Sequence, residues 1–171
     1  MRLFGIVGRQ GSGKTHLIER LVRELAGAGL RVSTVKHTHH HAPQFEPAHK
    51  DSARHRAAGA YEVLLASDAG WLLSRAGAGA TPPLAALLTE LAPCDLVLVE
   101  GYKYEAQVPR LEVYRGGSGP LALQDGSLLA VACPAGLDLP PLDVPRLDLD
   151  ATQDLARFVV ERAAPVNMSR R

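Results

Sequence analysis

The sequence predicts an α/β fold: a mainly parallel sheet flanked by helices, with some antiparallel strands. Two observations carry this. Apolar runs alternate along the chain with segments whose apolar residues recur at helical spacing. The first run, residues 3–7, and the strongest, residues 96–99, are short and continuous, as strands buried on both faces are.

The elements follow in order. After the first strand, Leu17, Ile18, Leu21, Val22 and Leu25 form one face of a helix, which Gly27 and Gly29 end. "RVSTVK" (31–36) is a second strand. Residues 37–50 are polar and His-rich, carry Pro43 and Pro47, and are expected to form a loop. Asp51 or Ser52 is placed to cap a short helix running to about Ala58, closed by Gly59. "YEVLLAS" (61–67) and "GWLLSR" (70–75) read as two strands joined by a tight Asp-Ala-Gly turn. Beyond the connection 76–83, Pro83 opens a helix over 84–91. "CDLVLVEG" (94–101) is the clearest strand. "RLEVYR" (110–115) and "LLAVAC" (128–133) are strands on either side of a "GGSGP" turn, and the former is a polar sheet-edge candidate. The Pro-rich stretch 134–145 is expected to be extended. The last helix starts near Asp150, with Gln153 placed for a capping box and Leu155, Phe158 and Val159 facing inward. Residues 165–171 form a frayed tail, leaving a single domain over 1–164.

Composition bounds the function. The chain has 171 residues, enough for one full core and too few for two ordinary domains. With 46% apolar and 22% charged residues it is an ordinary globular sequence. A net charge of +1 gives no support to bulk electrostatic binding of nucleic acid or anionic membrane. Cys94 and Cys133 lie in or beside apolar runs, without a CxxC pairing, and read as small buried residues of a reducing compartment. No apolar run approaches the roughly 20 residues of a membrane span, and the first residues run straight into a glycine-rich motif. The expectation is a cytoplasmic protein.

That motif is "GRQGSGKT", Gly8 to Thr15, a full G-x-x-x-x-G-K-[ST] with an apolar strand before it and an amphipathic helix after it. Its glycines let successive backbone N–H groups face one concavity at the positive end of the helix dipole. Lys14 would reach the β- and γ-phosphates of a nucleotide, and Thr15 would place its hydroxyl on Mg²⁺. The fold is thus P-loop NTPase-like. Such a loop needs a carboxylate at the end of a neighbouring strand, to hold Mg²⁺ or its waters. Glu100 stands at the carboxyl end of the most apolar strand, where a doubly wound sheet places its ligand crevice. Asp51, just beyond the loop that leaves the second strand, is a second candidate beside its capping role. Asp95 sits at the wrong end of its strand and reads as a cap or a solvated group. The [NT]KxD pattern that reads guanine is absent.

The stretch "VKHTHHHAP" packs His37, His39, His40 and His41 together, with His49 and His55 following. In an extended segment His37, His39 and His41 point one way and His40 the other. Two of them, with a third ligand from His49 or His55, offer a Zn²⁺ or Ni²⁺ site, but the spacing matches no closed zinc motif. A solvated loop is the plain alternative. Position supplies a third: the segment leaves the strand after the P-loop helix, where switch loops sit, so Lys36 and the histidines would face phosphates or a partner.

The order and spacing of "GRQGSGKT", "VKHTHH" (35–40), "KDSARHRAAGA" (50–60) and "LVLVEGYK" (96–103) resemble the molybdopterin-guanine dinucleotide biosynthesis protein B (MobB) family. The likeness spans most of the chain. It implies a GTP-binding homodimer with Mg²⁺ and slow hydrolysis. It also implies an adapter for the guanylyltransferase that joins GMP to molybdopterin, with molybdopterin itself a further possible ligand. By this likeness Gly8, Gly11, Ser12, Gly13, Lys14, Thr15, His37, Lys50, Asp51 and Gly101 would bind nucleotide. Thr15, Glu100 and Asp51 would serve Mg²⁺, and Lys14 and Glu100 would serve any catalysis. Lys50 to Ser52, with Arg56, would lie near the nucleotide or a dimer cleft. The chain departs from the family pattern at Cys133-Pro134, where an Ala-Ser-Asp-like strand end is expected near the base. Two rival functions stay open. One is a small-molecule or nucleotide kinase, although arginines 54, 56, 110 and 115 form no evident lid. The other is a metal-delivery GTPase using the histidine cluster.

Overall fold

A computed structural model of the protein describes residues 1–38, 50–77, 80–102 and 108–166. In chain order its elements begin with β1 (Arg2–Val7), α1 (Lys14–Gly27), β2 (Val32–Lys36), α2 (Asp51–Ala57), β3 (Glu62–Ser67) and β4 (Gly70–Arg75). They continue with α3 (Leu84–Thr89), β5 (Leu96–Glu100), β6 (Arg110–Val113), β7 (Ala130–Cys133), β8 (Arg146–Asp148), α4 (Thr152–Arg162) and β9 (Ala164–Pro165). Contacts divide the chain into two compact units, 1–38 with 84–171 and 39–83.

The first unit is the parallel sheet. Strands run in the order β2-β5-β1-β6-β7-β8, each pair parallel, and β9 adds antiparallel to β1. Side chains of β1 and β5 alternate between two cores, which is why both sequences are apolar throughout. Phe4, Ile6, Leu96 and Leu98 pack with Leu17 and Leu21 of α1 and Leu155 and Val159 of α4. Leu3, Val97 and Val99 pack with Val35 of β2 and Leu84 and Leu88 of α3. Cys94 and Cys133 are free and buried. Among the described residues no helix is long and apolar enough to cross a membrane.

Several expectations are corrected here. "RLEVYR" is no sheet edge: β6 lies between β1 and β7 and every residue of it is buried. Its charged side chains find partners in the residues that follow it. The Arg110 guanidinium bonds Asp125 at 3.0 Å and Ser127 at 2.7 Å. The Glu112 carboxylate accepts the N–H groups of Leu121 and Ala122, while burial pushes its pKa up. Because β6 and β7 are parallel, residues 114–129 form a crossover rather than a hairpin turn. Asp51 does not cap α2; Lys50 holds the cap position and no side chain bonds there. Nor does Gln153 close a capping box, since α4 starts at Thr152, with Ala151 at its cap. The Thr152 hydroxyl instead accepts from Arg20 of α1, at 2.9 and 2.6 Å. Ala156 joins Leu155 and Val159 in the buried face, and Phe158, half-buried, meets Phe4 edge-on. β8 arises just past the Pro-rich stretch, and β9 includes Pro165, assigned by sequence to the tail.

The second unit holds α2 and the antiparallel hairpin β3–β4, in the register Leu64↔Leu73 and Leu65↔Leu72. The turn falls at Asp68 and Ala69, as the sequence predicts. Arg56 of α2 donates to the Ser74 hydroxyl at 2.6 Å.

Candidate functional site: the phosphate loop and its carboxylate

β1 hands the chain to the loop at Gly8, which only glycine can occupy. Its φ is 147°, and a Cβ there would stand 2.5 Å from the Val113 carbonyl oxygen of β6 and 2.7 Å from the Ser12 hydroxyl. The loop then turns through a Ser12 N–H bond to the Arg9 carbonyl at 3.2 Å and enters α1 at Gly13. Among the described residues no side chain caps α1, and its own first turn holds no acidic residue, so no carboxylate of the helix itself offsets its positive end. The Lys14 ammonium donates to the carbonyls of Gly8 (2.9 Å) and Arg9 (2.8 Å), which holds it across the loop. Burial lowers its pKa, Glu100 raises it in part and Lys36 lowers it again. The Ser12 hydroxyl oxygen is buried with no hydrogen-bond partner among the described residues.

Sheet register brings the carboxylate to this loop. Ile6, Glu100 and Lys36 lie abreast on β1, β5 and β2. Thr15, one residue into α1 from Lys14, donates its hydroxyl to Glu100 Oε1 at 3.0 Å. The Lys36 ammonium stands 3.3 Å from the same oxygen and 3.3 Å from Thr15 Oγ1. The chain leaves β5 through two successive left-handed residues, Gly101 (φ 90°) and Tyr102 (φ 49°). This brings the Tyr102 ring to 4.9 Å from that of His37, and the backbone N–H of His37 donates to the Glu100 carbonyl at 2.9 Å.

The structure thus brings together Gly8, Gly11, Ser12, Gly13, Lys14, Thr15, Glu100, Gly101 and His37. Lys50 and Asp51 belong to the second unit, at the start of α2, where Asp51 approaches Arg54 at 3.5 Å. His39, His40, His41 and His49 fall outside the described residues, and with them the metal reading of the cluster. Among the described residues no group of three or more His, Cys, Asp or Glu could hold a metal ion. Asp95 is a surface partner of Arg31, which bonds its carboxylate from the backbone at 2.8 Å and from the guanidinium at 3.3 Å. Arg115 was missed as a site residue. Its guanidinium lies against Gly13, and only a place just past a strand end hinted at it.

A family model described as "Molybdopterin guanine dinucleotide synthesis protein B" matches residues 3–134. The chain is 38% identical over 159 residues to a Haemophilus influenzae protein named molybdopterin-guanine dinucleotide biosynthesis adapter protein, covering 92% of this chain and 86% of that one. It is 35% identical over 169 residues to an Escherichia coli K12 protein of the same name, covering 93% and 91%. Among solved structures, a molybdopterin-guanine biosynthesis protein B is similar at a TM-score of 0.71 with 26% identity, over 93% of this chain and 98% of that one. A MobB homologue from Bacillus stearothermophilus is similar at 0.69 with 28% identity, over 93% and 95%. With a match across most of its length and relatives of this identity, the chain belongs to the molybdopterin guanine dinucleotide synthesis protein B family.

Proposed function

We propose that the protein is an adapter of molybdopterin-guanine dinucleotide biosynthesis that binds GTP with Mg²⁺ at its phosphate loop. In this reading it works beside the guanylyltransferase of that pathway. The adapter role rests on the family and on the names of its relatives; guanine as the base rests on the same ground. One observation carries the nucleotide reading: Lys14, Thr15, Lys36 and Glu100 converge at the N-terminus of α1 beside the glycine loop.

The donor set suits Mg²⁺, which prefers hard oxygens. The Thr15 hydroxyl and the Glu100 carboxylate bring two such oxygens together beside the loop. Thr15 and Glu100 would hold the ion, which when bound would offset charge on the phosphates. The loop N–H groups would bind phosphate oxygens. Lys14, already laid across the loop, would add a point charge without reorganising. The unpartnered Ser12 hydroxyl has a bond to give inside the loop. Hydrolysis by the isolated protein should be slow, well under the median enzyme rate of about 10 per second, because none of the described residues at the site is placed as a strong general base.

A second copy of the chain is the proposed partner of the second unit. Its hairpin exposes Tyr61, Leu64, Leu65, Trp71, Leu72 and Leu73. A two-stranded sheet with that much bare apolar surface is marginal alone.

The nucleotide reading is tested with fluorescent GTP and GDP, competed by ATP and by molybdopterin, with and without Mg²⁺. GTP should bind tightest and only with Mg²⁺, and Lys14→Ala should lose at least about tenfold in affinity. Equal affinity in Lys14→Ala would refute the site, and preference for ATP would refute the base.

A further inference from the structure

β6 ends beside the phosphate loop, and two residues past its last residue stands Arg115. The backbone leading to it is well held. The Val113 carbonyl crowds Gly8, and Tyr114 is buried, with its N–H bonded to the Ala132 carbonyl at 2.9 Å. Arg115 itself is exposed. Its Nε lies 3.0 Å from the point a Cβ on Gly13 would occupy, and its Cζ and second terminal nitrogen lie 3.7 and 3.6 Å from that point. The guanidinium therefore rests on the residue that precedes Lys14, at the head of α1.

Nothing in the described protein compensates this charge. Arg31 has Asp95, Arg110 has Asp125 and Arg20 lies 3.7 Å from Asp150. Arg115 makes no hydrogen bond or ion pair among the described residues. A bare guanidinium resting at the positive end of a helix is repelled by it. Only an anion arriving at the loop turns that repulsion into attraction.

We propose that Arg115 is a nucleotide-contacting residue of the phosphate loop, its guanidinium binding a phosphate oxygen beside Gly13. This deepens the nucleotide reading above and rests on it. The planar fork suits two oxygens of one phosphate, which the point charge of Lys14 does not offer. The protein thereby supplies from its own chain, at the end of β6, an arginine to a loop otherwise served by Lys14 and Lys36.

The test is displacement of fluorescent GTP, in the presence of Mg²⁺ and at several salt concentrations, by unlabelled GTP and by inorganic tripolyphosphate. It is run on wild type, Arg115→Gln and Arg115→Lys, with thermal melts to verify folding. Arg115→Gln should weaken both competitors alike, by about 10- to 100-fold as for a lost charge-assisted pair. It should also flatten the dependence of affinity on salt, and Arg115→Lys should fall between the two. Unchanged affinity in Arg115→Gln overturns the proposal. So does a loss confined to GTP with tripolyphosphate unaffected, because the guanidinium then meets the base or ribose. If wild type binds neither competitor, the nucleotide reading itself falls, and this inference with it.

Discussion

Glu100 Oε1 serves two donors at once, the Thr15 hydroxyl at 3.0 Å and the Lys36 ammonium at 3.3 Å. A divalent ion drawn to that oxygen competes with the ammonium for the same negative charge. Removing Lys36 should therefore help Mg²⁺, and removing the carboxylate should hinder it. Lys36 is more than half exposed, so screening limits the pair to about 1 kcal/mol or less, a factor of up to about five. Lys36→Met should lower the Mg²⁺ concentration at half-maximal GTP binding by that much, and Glu100→Gln should raise it. A Mg²⁺ titration in which neither variant moves the midpoint would count against Glu100 as the metal carboxylate. Glu100 was readable in the sequence because it ends an apolar strand beside a glycine. Its contact with Lys36 was not, because the two stand 64 positions apart and meet only through the pairing of β2 with β5.

At the scale of elements, the hairpin β3–β4 exposes more large apolar side chains than any other element among the described residues. Leu64, Leu73 and Trp71 fall on one face and Leu65 and Leu72 on the other, and all five are exposed. Trp71 is the one tryptophan in the chain, so its emission reports on this surface alone. If a second copy covers the hairpin, dilution should shift that emission to the red as light scattering records a fall from dimer to monomer mass. Leu64→Glu should produce the monomer at concentrations where wild type is dimeric. Scattering that gives a monomer at every micromolar concentration would sink the dimer. The hairpin was legible because its turn and its two apolar runs are contiguous in sequence. β6 was misplaced for the converse reason. Arg110 and Glu112 look like solvated edge charges until Asp125, Ser127 and the 121–122 amides, remote in sequence from the strand, are folded against them.

For the whole molecule, local pattern was enough to foresee a mainly parallel sheet between helix layers, since continuous apolar runs need cover on both faces. Strand order was not foreseeable in the same way. Which strand neighbours β1 decides that Glu100 arrives on one side of the loop and Arg115 on the other, and no local pattern carries that information. The order has a further effect. β1 is clasped between β5 and β6, whereas β2, the carrier of Lys36, pairs among the described residues with β5 alone. Sheets open first from strands held on one side. Amide hydrogen exchange should therefore run faster in residues 32–36 than in residues 2–7. In mild denaturant Lys36 should leave Glu100 before the core around Phe4 and Leu98 gives way. Nucleotide affinity would then respond to urea at concentrations that leave the helical circular dichroism untouched, so the site would lose its grip while the fold still stands.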